Sequence, residues 1–119
     1  MPEIKHTPGP WFVESTDKTP IYVSPVNRHE QIGICNVMVI DEDESSDSGE
    51  WFNGDQTKAN AKLIAAAPDL LADLQEAATT LRRYETLHRA KGTDDSTAKA
   101  EVNATLAARF EATIAKATE

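Results

Sequence analysis

Cysteine occurs once in this 119-residue chain, at Cys35, which excludes an intrachain disulfide and favours a reducing compartment, with the cytoplasm as the expected setting. Nor is there an apolar run near the roughly 18 residues of a membrane span, and the opening MPEIKHTPGP lacks the apolar core of a signal peptide. A soluble, unexported protein with no membrane partner is expected. Positive charge is scarce too: 12 Lys and Arg stand against 20 Asp and Glu, a formal charge of -8 that disfavours nonspecific attraction to nucleic acid. Catalytic spacing is missing. His6, His29 and His88 are scattered, and there is no HExxH, CxxC, GxSxG or glycine-rich phosphate loop. No enzyme activity, cofactor or metal is expected. Asp41, Asp43, Ser45 and Asp47 alternate as in a calcium loop, but Ser46 then falls where glycine is needed and Phe52 where the bidentate glutamate belongs.

What the chain does contain is β-forming sequence followed by helix-forming sequence. WFV (Trp11 to Val13), IYV (Ile21 to Val23) and QIGICNVMVI (Gln31 to Ile40) are rich in β-branched and aromatic residues, with STDKTP and SPVNRHE as turns, and read as an antiparallel meander of about three strands. The alternation changes parity inside the third run, which asks for a bulge near Cys35 or Asn36. Residues 41–54 are acidic and serine-rich and read as a loop. Asn53 or Asp55 can cap a first helix to about Ala67, with Leu63, Ile64 and Ala67 buried. Pro68 suits the first position of a second helix, where a missing N–H costs nothing, so a helix–helix corner is expected there. Leu70, Leu74, Ala77, Leu81 and Tyr84 make an apolar seam on the second helix, Gly92 ends it, and TDDS (Thr93 to Ser96) caps a third that carries Val102, Leu106, Phe110 and Ile114. The expected fold is α+β: one domain over 1–119, with an N-terminal antiparallel β-meander packed on a short helix and a C-terminal antiparallel helical hairpin. Apolar edges left by so small a domain point to a homodimer or higher homo-oligomer.

HTPGPW (His6 to Trp11) and ANAKLIAAAPDLL (Ala59 to Leu71) resemble a widespread group of small bacteriophage and prophage proteins that begin with HTPGPW and carry ANAxLIAAAPxLL before a terminal helical segment. The resemblance implies a phage accessory protein and supplies no enzyme class. At the level of architecture alone, a sheet followed by helices looks like the Thoeris anti-defence sponge proteins, which bind cyclic ADP-ribose signals without cleaving them.

Two clusters qualify as binding residues. Trp51 and Phe52 could stack on a base, just ahead of a helix start that carries Asn60 and Lys62, and helix N-termini attract anions. The bland alternative is that both aromatics plug the helices onto the sheet. RRYETLHRAK gathers Arg82, Arg83 and Arg89 in an otherwise acidic chain; Arg82 and Arg89 share a helix face and Arg83 lies about 100° away. Such a patch could grip phosphate, or could pair with Glu101 and Glu111 across the hairpin. Two functions follow: capture of a nucleotide-derived signal, or inhibition of a host or defence protein through the acidic surface from Asp41 to Glu50.

Overall fold

The computed structural model describes residues 6–16, 19–25, 34–37 and 55–119. Strands β1 (Phe12–Thr16), β2 (Thr19–Ser24) and β3 (Cys35–Asn36) form one antiparallel sheet in that order. Helices α1 (Asp55–Ala65), α2 (Ala67–Lys91) and α3 (Asp94–Thr118) follow. The architecture is α+β, with an N-terminal meander and a C-terminal helical hairpin. The chain divides into two compact units, Met1–Asp69 and Leu70–Glu119.

In the first unit, β1 and β2 pair Phe12 with Ser24, Val13 with Val23 and Glu14 with Tyr22, then slip by one so that Thr16 faces Thr19. The strands thus extend into the STDKTP stretch expected as a turn, which shortens that turn. On β3, Cys35 faces Val23, yet the Ile34 N–H donates to the Val23 carbonyl at 2.6 Å. Ile34 and Cys35 are consecutive and both pack on the core, the two-against-one arrangement of a bulge. The rest of the expected third strand lies outside the described residues, as does the acidic loop. Ile21, Val23, Val37 and Ala61 form the core, with Trp11 and Ile64 packed against them. Helix α1 lies across β2 and β1 and buries Thr57 and Ala61. Leu63, expected inside, is 63% exposed; two residues beyond Ala61 it has turned about 200° around the helix.

The two sequence motifs meet in this unit. The Trp11 indole N–H donates back to the Thr7 carbonyl at 3.2 Å, closing the HTPGPW turn on itself around a cis Gly9–Pro10 bond. A Cβ placed on Gly9 would stand 2.7 Å from Pro68 Cβ and 3.1 Å from its Cγ. Glycine is needed because Pro68 occupies the space. Pro68 is the second residue of α2 rather than the first, still inside the turn whose N–H groups have no helical partner. Helix α1 ends at Ala65, two residues before the expected boundary, and the Ala66 N–H bonds to the Lys62 carbonyl at 3.0 Å. Asp55 is the first helical residue of α1; Asn53 lies outside the described residues.

In the second unit Gly92 takes φ +69°, the left-handed conformation that terminates α2. Thr93 caps α3, its hydroxyl accepting the Ser96 N–H at 3.1 Å. The two helices form an antiparallel hairpin, but the expected large-residue seams are not its most buried rows. Ala78, Ser96, Ala100 and Ala107 are buried, whereas Leu70 and Tyr84 are 53% and 46% exposed and Val102 is 67% exposed. Small residues occupy the contact row because they let the axes approach, and the leucine seam is displaced to one flank of it.

Candidate functional site

Between the end of β3 and α1 runs an open groove of about 280 Å³, lined by Asn36, Val37, Asn60, Leu63 and Ile64. It exists because β3 delivers Asn36 beside the core residue Val37, while α1 turns Asn60 and Leu63 to the same flank of its buried row. The exposed Leu63 is thereby explained: it walls a groove. Each asparagine carboxamide brings a donor pair and an acceptor. No residue of this lining titrates near neutral pH.

Helical geometry separates the candidates proposed for α1. Asn60 precedes the buried Ala61 by one residue and Lys62 follows it, so the two project to opposite flanks. Asn60 lines the groove; Lys62 does not. Trp51 and Phe52 lie outside the described residues.

Arg82 and Arg83 sit on α2, and their surroundings differ. The Arg82 guanidinium forms a forked pair with Glu111 on α3 and reaches Glu85 at 3.0 Å. Arg89 repeats the pattern, with Glu85 at 2.9 Å and Glu101 at 3.2 Å. Hydrogen bonds from Arg82 first and Arg89 second hold the Glu85 carboxyl below its ordinary 4.5, and the hydrogen bond from Arg82 does the same for Glu111. The reciprocal hydrogen bonds from those carboxylates raise both guanidinium groups. Arg82 is therefore part of an ion-pair ladder that ties the hairpin together. Arg83 is exposed, its guanidinium carbon 6.0 Å from the Tyr84 ring centroid, and makes no ion pair among the described residues.

A model of the family of Salmonella phage P22 protein Y8K6 matches residues 1–119. The chain belongs to that phage protein family. The phage character implied by the two motifs holds at this level for the Y8K6-family chain. No curated protein and no solved structure matches it. Among the described residues of this Y8K6-family member there is no cluster of three or more His, Cys, Asp or Glu placed to hold a metal ion, and no helix long and apolar enough to cross a membrane. Sequence reasoning missed Asn36. Its only signal was the parity change beside Cys35, which marked a distortion without saying which side chain the distortion would place next to α1.

Proposed function

We propose that this phage accessory protein acts in the host cytoplasm by capturing a nucleotide-derived immune signal, of the cyclic ADP-ribose or cyclic oligonucleotide type, and sequestering it uncleaved. The observation that carries the reading is the groove with Asn36 and Asn60 above an aliphatic wall. Carboxamides can match the donor–acceptor edge of a base, as asparagine does with adenine, and Val37, Leu63 and Ile64 offer the apolar surface that small-ligand sites generally use. A lining without a nucleophile or an acid–base pair supports retention rather than turnover. Trp51 and Phe52, shortly before α1 in sequence, are the proposed stacking residues. For Arg82 the ion-pair ladder with Glu85 and Glu111 argues a structural role within the hairpin.

Equilibrium dialysis against cyclic ADP-ribose isomers and cyclic dinucleotides tests the reading. Free ligand is expected to fall, heat denaturation should return it with unchanged mass, and Asn60→Ala should weaken capture about tenfold through loss of one buried hydrogen bond. A protein that retains none of the panel, or returns a cleaved product, overturns it. The first of these outcomes would leave direct inhibition of a host or defence protein through Asp41 to Glu50.

A further inference from the structure

Resting on the capture reading of the β3–α1 groove, we propose that the groove holds only the uncharged base of its ligand, an adenine, and leaves the phosphates in solvent. A nucleoside is then a sufficient ligand. Asn36 and Val37 line one wall and Asn60, Leu63 and Ile64 the other, and none of these side chains is ionisable. Measured around α1 from the buried Ala61, Ile64, Asn60 and Leu63 lie about 60°, 100° and 160° to one side, whereas Lys58 and Lys62 lie about 60° and 100° to the other. The helix that forms this wall turns its two basic residues away from it. Its positive dipole end is already answered by Asp55 in the first turn. The stretch that joins the two walls, residues 38–54, lies outside the described residues; its sequence contains Asp41, Glu42, Asp43, Glu44, Asp47 and Glu50 and no Lys, Arg or His, so any charge it brings to the groove is negative. A phosphate held there would give up its water without a cation among the described lining residues to replace it.

Size and hydrogen-bonding pattern select the base. A volume of about 280 Å³ falls just below the roughly 300–1,000 Å³ of clefts that enclose drug-sized molecules, room for one ring system rather than for a whole dinucleotide. The aliphatic side chains of Val37, Leu63 and Ile64 suit the faces of a ring. A carboxamide sets a donor beside an acceptor, the complement of the adenine edge on which the N6 amino group lies next to N7. The corresponding guanine edge presents two acceptors, O6 and N7, and would leave the carboxamide oxygen facing one of them.

Equilibrium dialysis of the full chain against adenosine, guanosine, cyclic ADP-ribose and a cyclic di-adenylate, at about 0.05 and 0.5 M salt, tests this, with circular dichroism as a check on folding. Adenosine should bind within about threefold of whichever cyclic nucleotide is captured, guanosine should bind about tenfold more weakly than adenosine, and the change of salt should move each constant by less than about twofold. Asn36→Ala and Asn60→Ala, both at exposed positions, should each weaken adenosine binding about tenfold, while Lys58→Ala and Lys62→Ala leave it within about twofold. Capture of a cyclic nucleotide without adenosine, capture that collapses at high salt, or equal affinity for guanosine overturns this proposal and leaves the capture reading standing. Adenosine bound while no cyclic nucleotide is retained overturns the capture reading alone. A folded chain that retains neither overturns both.

Discussion

Two glycines show how differently the same residue type can be required. Gly9 is needed for space, since its missing Cβ is what Pro68 fills, and Gly92 is needed for its φ of +69°, with no neighbouring atom within 4 Å of where a Cβ would stand. Gly9→Ala is expected to destabilise the chain by about 1–3 kcal/mol through overpacking. Gly92→Ala should cost about 1–2 kcal/mol, by forcing a left-handed conformation on a residue with a Cβ. Urea titration followed by circular dichroism checks both. An unchanged midpoint for Gly9→Ala would show that the motif-to-motif contact is loose. Asn60 and Lys62 make a related point: two residues apart on one helix, they face opposite flanks, and only Asn60 reaches the groove.

The hairpin is held by small residues at its centre and by charges along one edge. Ala107 is fully buried, so Ala107→Leu should push the helices apart and destabilise the unit by about 1–3 kcal/mol, read as a lower thermal midpoint. The edge responds to pH. Glu85 and Glu111 have folded-state pKa values below the ordinary 4.5, so the folded chain binds fewer protons than the unfolded one. Their contribution is complete above about 4.5 and fades as the pH falls through the lowered values. The thermal midpoint should therefore drop on acidification below about pH 4.5, and Glu111→Gln should flatten that part of the profile. At pH 7 the same substitution should have little effect, because the pair is solvent-exposed and screened.

For the molecule as a whole, net charge bears on the class of partner. The formal charge of -8 opposes nucleic acid, so no retardation of a labelled duplex is expected in a mobility assay at about 0.15 M salt. A salt-sensitive shift there would show that Arg83 and Lys91 outweigh the global field. The phage family covers the whole chain.

Periodicity, capping residues and glycine placement were enough to read the α+β order, the ends of α2 and α3, and the break before Pro68, because these depend on hydrogen-bonding and steric rules within a few residues. The partners of Arg82 and Arg89 on α3 were also legible, as charge pairs across a hairpin. Which apolar row becomes the contact was not. On α2, Leu74 and Leu81 lie about 40–60° from Ala78, and Leu70 and Tyr84 about 80–120°; the choice of contact row depends on how closely α3 can approach, which favours alanine, keeps Leu74 and Leu81 half-buried and leaves Leu70 and Tyr84 exposed. The groove was equally out of reach, since it needs a distorted β3 and one flank of α1 to come together from residues more than twenty positions apart. Local rules determined the elements; side-chain volume and the docking of one element on another decided which residues share a surface.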